Sequence, residues 1–196
     1  AITVNLDEGW ATGQGTDSFK NIDAIRGTDI LAFGDTLIGS STQGNTLYGM
    51  AGNDIIKGMG GNNSLYGGSG ADTIYSGTGN DIIDGGAGND KLLGGAGNDL
   101  LEGEAGDDSL IGGAGNDTIN GGSGIDTVDY SLEAGRLRVI LGADDSSASA
   151  TIGTSDTDIL SSIENVIGTS YNDEITGNNK SNSIDAGAGN DILDGG

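Results

Sequence analysis

The stretch GGAGNDKLLGGAGNDLLEGEAGDDSLIGGAGNDTIN, from Gly85 to Asn120, is four near-copies of a nine-residue unit with nothing between them. Each copy places an acid sixth and an aliphatic residue eighth. Working outward, the register runs back to Gly49 and forward to Asp129, giving nine consecutive nonapeptides. Position 4 is Gly in all of them. Position 6 is Asp54, Asn63, Asp72, Asp81, Asp90, Asp99, Asp108, Asp117 and Asp126. Position 8 is Ile56, Leu65, Ile74, Ile83, Leu92, Leu101, Leu110, Ile119 and Val128. A fixed period of this kind signals stacked units, each of which buries its apolar face only against its neighbours.

The columns have separate physical readings. Residues 7 to 9 read as a very short strand whose middle side chain faces one way and whose neighbours face the other. The unbroken aliphatic column at position 8 therefore marks an interior, and the mixed columns 7 and 9 mark the outside. Positions 1 to 6 read as a turn, with Gly at 1, 2 and 4 permitting positive φ and close backbone approach. Two nonapeptides then make one coil of an all-β solenoid with two thin parallel sheets. Turns on one side stack a coil apart, which brings Asp81 near Asp99 and Asp117. On the other side Asp72, Asp90, Asp108 and Asp126 fall in line.

Stacked carboxylates repel unless a cation lies between them. The chain holds 30 acids against seven bases, a formal charge of −23, and has no His and no Cys. Disulfides, the usual zinc sites, cysteine nucleophiles and histidine bases are thereby excluded. The remaining donors are carboxylate and carbonyl oxygens, which favour Ca²⁺ or Mg²⁺ over transition metals. Ca²⁺ fits better, because it takes six to eight oxygens in flexible geometry. Neighbouring turns within residues 49–129 give seven inter-turn sites, and seven divalent ions would offset more than half of the chain's charge. With 40 Gly, no Pro and so thin an aliphatic column, the chain is expected to need the ion to fold. So few bases make nucleic acid an improbable partner. No apolar run approaches the roughly 20 residues of a membrane-spanning helix, and AITVNLDEGW at the start lacks the features of a signal peptide.

GGAGNDKLL, GGAGNDLLE and GGAGNDTIN match every defined position of G-G-x-G-x-D-x-(aliphatic)-x. The chain thus resembles the RTX family of haemolysin-type calcium-binding repeats, which form a parallel β-roll, a right-handed β-solenoid. The resemblance implies Ca²⁺ held by Asp54, Asp72, Asp81, Asp90, Asp99, Asp108, Asp117, Asp126 and Asp191. Asn63 would be a weaker ligand, and turn carbonyls such as those of Gly86, Gly88, Gly95, Gly97, Gly113 and Gly115 would complete the sites. It also implies export by type I secretion machinery and folding outside the cell, as part of a secreted or surface-bound bacterial protein. Departures are Asn63 in place of an acid, Ser76 at position 1, and Met50, Met59 and Glu104 at position 2. The Asn63–Asp81 pair has lost one charge and should hold an ion less well, unless Asn63 ligates through its amide oxygen.

The organisation expected is an irregular flank at 1–48, the regular block at 49–129, a linking segment with an enlarged loop at 130–167, and degenerate repeats at 168–196. The two flanks resemble each other: ITVNL at Ile2–Leu6 with LRVIL at Leu137–Leu141, and DSFKNIDAIRGT at Asp17–Thr28 with DILSSIENVIGT at Asp158–Thr169. This duplication, together with a chain that begins and ends in mid-unit, suggests an excerpt from a longer array. GADDSSASATIGTSD at Gly142–Asp156 reads as the enlarged loop or a hairpin. Asp35, Asp173 and Asp191 lie in degenerate repeats and leave two readings open: Ca²⁺ ligation as in the regular turns, or repeats that keep their shape without metal. Trp10 and Phe19 would pack the first flank rather than form a sugar platform. Tyr66 and Tyr75 would stack across strands on the outer surface, and Arg136 and Arg138 would pair with the chain's own acids.

The function expected is a calcium-gated structural or secretion-linked spacer within an adhesin, S-layer-like protein or toxin, with open ends that permit end-to-end self-association. The alternative is a C-terminal calcium-binding module on a secreted hydrolase or polysaccharide-modifying enzyme. Intrinsic catalysis fits poorly, because paired carboxylates recur in every repeat instead of marking one site. An ice-binding face fits poorly too, because Ile55, Lys91 and Leu100 interrupt the threonines of position 7.

Overall fold

In the computed structural model, residues 2–12, 16–18, 23–28, 34–142, 147–154 and 156–196 are described. Phe19 lies outside them, and of Trp10 only the backbone, in strand Trp10–Thr12, is described. The described chain is strands and turns, arranged as two 11-stranded sheets that face each other. From Thr36–Ile38 to Thr127–Asp129 successive strands alternate between the sheets, so each strand pairs in parallel with the one a coil away. Ile82–Ala87 pairs with Leu100–Ala105 in one sheet, setting Ile83 against Leu101. Lys91–Ala96 pairs with Ser109–Ala114 in the other, setting Leu92 against Leu110. In-register stacking puts each position-8 side chain on its own kind, and all nine, Ile56 to Val128, are fully buried. Each strand thus contributes one aliphatic side chain to a core a single layer thick, which is little apolar burial for the backbone entropy lost.

The strands are longer than the expected three residues. In the regular block most run from position 7 to position 3 of the next repeat, as in Ile82–Ala87, so the turn proper is only positions 4 to 6. The glycines also divide their work differently from the expectation. Positive φ falls at positions 2 and 4, as at Gly86 (95°) and Gly88 (143°), and not at position 1. The left-handed residue at position 2 bends the chain while the ladder continues through position 3, where Ala87 pairs with Ala105. Met50, Met59 and Glu104 hold the same conformation without being glycine, at φ of 83°, 78° and 71°.

The two similar flanks adopt one arrangement. Thr3–Asn5 pairs antiparallel with Trp10–Thr12, which pairs with Thr16–Ser18, while Thr3–Asn5 runs parallel to Thr36–Ile38. Leu137–Ile140 likewise pairs antiparallel with Ala148–Ile152, which pairs with Asp156–Ser161, and runs parallel to Glu174–Thr176. The Gly142–Asp156 segment is therefore part of a hairpin inserted into the sheet, though residues 143–146 and 155 lie outside those described. Asp156–Ser161 docks in parallel on Thr118–Asn120, and the solenoid continues through the insertion. Tyr66 does not meet Tyr75, because the two lie in different sheets. Tyr66 stacks on Tyr48 with ring centroids 4.8 Å apart, and the Lys57 ammonium lies 5.9 Å from the Tyr75 ring. Arg136 and Arg138 both pair with Glu174, at 3.1 and 3.4 Å.

Candidate metal centre

Strand alternation decides where the aspartates point. If position 8 faces inward, so do positions 6 and 1 on either side of it. The position-6 aspartates of the block are accordingly 0 to 3% exposed, lodged at the two lateral edges of the core. Room for them comes from position 1. A Cβ on Gly85 would lie 2.6 Å from Asp90 Oδ2 and 3.0 Å from the Gly103 carbonyl oxygen. On Gly94 it would lie 2.5 Å from both Asp99 Oδ2 and the Gly112 carbonyl oxygen. Position 1 is glycine for space and not for φ. Ser76 is the exception, and its hydroxyl donates to the Gly94 carbonyl.

The carboxylates form two ladders. The Asp54 N–H donates to Asp72 Oδ1 (2.7 Å), Asp72 to Asp90 (2.7 Å), Asp90 to Asp108 (2.8 Å) and Asp108 to Asp126 (2.9 Å). On the opposite edge Asn63 donates to Asp81 (2.6 Å), Asp81 to Asp99 (2.8 Å) and Asp99 to Asp117 (2.8 Å). One oxygen of each acid is thereby satisfied. The other is not: Oδ2 of Asp54, Asp72, Asp81, Asp90, Asp99, Asp108, Asp117 and Asp126 is buried without a hydrogen-bond partner. A buried polar atom without a partner costs free energy, and a buried charge costs far more. Burial pushes Asp72 and Asp117 up to about 7 and Asp90, Asp99 and Asp126 up to about 6, despite the backbone N–H that pulls each down. Adjacent acids add to the rise. Burial raises Asp54 and Asp108 as well.

Asn63 reveals what the orphaned oxygens lack. Its Oδ1 accepts the Asn45 N–H at 2.9 Å, as the aspartate Oδ1 atoms accept theirs. Its Nδ2 stands in the Oδ2 position and donates to the Gly61 carbonyl (2.9 Å), Asp81 Oδ1 (3.1 Å) and the Ser76 carbonyl (3.4 Å). Three oxygens from two turns thus converge on one electropositive group. Where the residue is Asp, the same oxygens face another oxygen, and the gap suits a hard cation. The carbonyls of Gly70, Gly88 and Gly97 lie against Gly88, Gly106 and Gly115 one coil on, which places the position-4 oxygens between coils. Position-2 carbonyls are drawn partly into the ladder, as where Glu104 accepts the Ser123 N–H at 2.7 Å. The position-1 carbonyls, such as those of Gly103 and Gly112, are donors the sequence reading did not name. Among the described residues no three acidic side chains converge, so backbone oxygen must supply much of any coordination sphere.

The degenerate turns differ in one respect. Asp35 Oδ2 accepts both the N–H (2.6 Å) and the hydroxyl (2.9 Å) of Thr28. Asp173 Oδ2 accepts the same pair from Thr169, at 2.7 and 3.0 Å, and Asp158 Oδ2 accepts the Tyr130 hydroxyl at 2.9 Å. Asn182 Oδ1 accepts the Asn178 N–H at 2.7 Å. Asp191 is half-buried and accepts the Asp173 N–H at 2.9 Å, apart from the two main ladders. Those ladders extend beyond the block, because Asp117 donates to Asp158 Oδ1 (2.9 Å) and Asp126 to Glu164 Oε2 (3.0 Å). Sequence reasoning missed both acceptors. They stand 41 and 38 residues on instead of 18, although counting nonapeptides back from Gly168 puts Glu164 at position 6.

Two facing parallel sheets joined by glycine-rich turns with paired inward carboxylates define a β-roll. The family model of the RTX calcium-binding nonapeptide repeat matches residues 29–65, 40–74, 66–101, 93–128 and 167–196. The chain belongs to this family, and its β-roll is a calcium-binding module. No curated protein matches it.

Proposed function

We propose that the position-6 aspartates Asp54, Asp72, Asp81, Asp90, Asp99, Asp108, Asp117 and Asp126, with the turn carbonyls between coils, hold about seven Ca²⁺ ions across residues 49–129. The single observation that carries this reading is the set of eight orphaned Oδ2 atoms; six of them, those of Asp54, Asp72, Asp90, Asp99, Asp108 and Asp126, share the space beside a position-1 glycine with a carbonyl oxygen of the next turn. Bound Ca²⁺ supplies two positive charges and tolerates six to eight oxygens, which is what a mixed set of carboxylates and carbonyls requires. Position-1 glycines clear the space, left-handed residues at positions 2 and 4 aim the carbonyls, and each Oδ1 locks its turn to the next. Asn63 already fills its place with Nδ2, so the Asn63–Asp81 position binds most weakly. Asp191 ligates only as the start of a further stack.

The module folds when calcium is supplied and acts as a structural, secretion-linked spacer in a larger extracellular or surface protein, without catalysis of its own. Support comes from the one-layer core and from the charge of −23, which opposes compaction of the metal-free chain. Extracellular calcium modules bind at about 10⁻⁴–10⁻³ M, so cytosolic calcium would leave this one unfolded. A far-ultraviolet circular dichroism titration tests the reading. Strand signal should be largely lost in EDTA and restored cooperatively by millimolar Ca²⁺, and equal strand content in both would overturn it.

A further inference from the structure

The inserted hairpin leaves the coil after Asp117 without a regular turn, and a side chain takes over the missing oxygen. Within the block the position-4 N–H donates to a backbone carbonyl one coil on, as Gly97 does to Ala114 at 2.9 Å. The Gly115 N–H instead donates to Asp156 Oδ2 at 3.2 Å. Asp156 therefore places a carboxylate where other coils place a turn carbonyl. Its Oδ1 is buried without a partner, and so is Oδ2 of Asp117, a residue only 1% exposed. Asp158, fully buried, joins the same place: its Oδ1 accepts the Asp117 N–H and its Oδ2 the Tyr130 hydroxyl. Asp156 repels the charges of Asp117, Asp158 and Glu133, so these acids lie within electrostatic reach of it, although no three of them converge on one point. Arg136 and Arg138 pair with Glu174.

We propose a further divalent-cation site at this junction, outside the nonapeptide pattern, with Asp117 Oδ2 and Asp156 Oδ1 as its carboxylate ligands. It rests on the calcium reading of the regular turns, since Asp117 serves both. Its chemistry differs from theirs, because a side chain from a distant segment replaces turn carbonyl and adds a full negative charge. Higher ligand charge tightens Ca²⁺ binding. The ion would tie the inserted hairpin to the last regular coil, so the two halves of the solenoid are joined through metal as well as through the strand pairing of Thr118–Asn120 with Asp156–Ser161.

The test uses native mass spectrometry of the 196-residue chain at saturating Ca²⁺ together with tyrosine-sensitised Tb³⁺ luminescence. Asp156→Asn should bind one ion fewer than the parent, with affinity at the junction weakened by at least about tenfold, the scale on which even outer-shell losses act. Tyr130→Phe keeps the core ring but removes the buried sensitiser, so it should lose much of the Tb³⁺ emission while retaining the ion count. This second variant reports on the site even if Asp156→Asn folds poorly. An unchanged ion count in Asp156→Asn, or unchanged emission in Tyr130→Phe, would overturn the junction site and leave the regular turns untouched. A parent chain that binds no Ca²⁺ would overturn both readings.

Discussion

The regular block at 49–129 and the coils that flank it both turn a carboxylate inward, and they differ in what its second oxygen meets. In the block the second carboxylate oxygen of each inward aspartate has no protein donor. In the flanks the equivalent oxygen accepts from Thr28, Thr169 or Tyr130. The change follows from the residue after the position-1 glycine and not from turn length, since Gly168 and Asp173 stand as far apart in sequence as Gly85 and Asp90. At Gly27–Thr28 and Gly168–Thr169 the residue after the glycine curls back and offers its own N–H and hydroxyl to the acid. The glycine-rich turn instead directs carbonyls toward its acid and leaves the donor to be supplied from solution. A degenerate repeat is thus a self-sufficient coil and not a decayed one. On the proposed reading, the same inward carboxylate is a metal ligand in one setting and a hydrogen-bond hub in the other.

Paired substitutions break this comparison most sharply. Asp90 is shared by the turns of Asp72 and Asp108, so Asp90→Ala should remove two ions and cost about 3–5 kcal/mol in Ca²⁺, the penalty for stripping one partner from a buried charge pair. Denaturant titration in Ca²⁺ and in EDTA should show that loss only in Ca²⁺. Asp173→Ala removes the acceptor for Leu137 and Thr169 and should cost about 2–3 kcal/mol in Ca²⁺ and EDTA alike, leaving the calcium midpoint in place.

Asn63→Asp converts a self-satisfied turn into an orphaned one. Isothermal titration should show tighter calcium binding by about tenfold, equivalent to about 1.4 kcal/mol. The metal-free form should become less stable, because the three bonds from Nδ2 are lost.

Acidity should act in opposite directions on the two states. Asp72 and Asp117 titrate near 7 in the folded chain against an ordinary 3.8, so metal-free folding takes up protons between these values. Stability without metal therefore rises as pH falls from 7.5 to 5. Calcium needs the ionised carboxylates, so its affinity falls over the same interval. Circular dichroism in EDTA at the two pH values, paired with calcium midpoints, would check both signs.

The smallest effect concerns backbone strain. Glu104 holds φ at 71°, where glycine sits in most repeats, and Glu104→Gly should raise the stability of the calcium-bound form by about 1 kcal/mol. The midpoint of thermal unfolding would register it.

Much of this comparison was legible in the sequence, and the reasons differ by residue. The interior column from Ile56 to Val128 follows from period alone, because parallel in-register stacking repeats whatever a nonapeptide places at position 8. The carboxylate ladders follow from the same period, up to the point where insertion breaks it. Asp158 and Glu164 lie beyond that point; counting back from Gly168 recovers Glu164, and only three-dimensional pairing returns Asp158 to its ladder. The sequence also shows glycine at positions 1 and 2 without saying why. One serves space and the other φ, and only backbone angles and contacts separate the two. Thr28 and Thr169 end the two similar flank segments, but that likeness does not say what they donate to, and Tyr130 carried no pattern, since a donor to a buried carboxylate is recognised by position in space and not by spacing along the chain.

Hydrogen exchange with and without calcium tests the central claim most directly, because the ladder amides report each region separately. The backbone N–H groups of Asp72, Asp81, Asp90 and Asp99 should be protected in Ca²⁺ and exchange freely in EDTA. Those of Leu137, Thr169 and Asp173 should stay protected in both. Equal protection of the two sets after complete chelation would contradict the account, because the orphaned carboxylates would then be holding their coils without the ion.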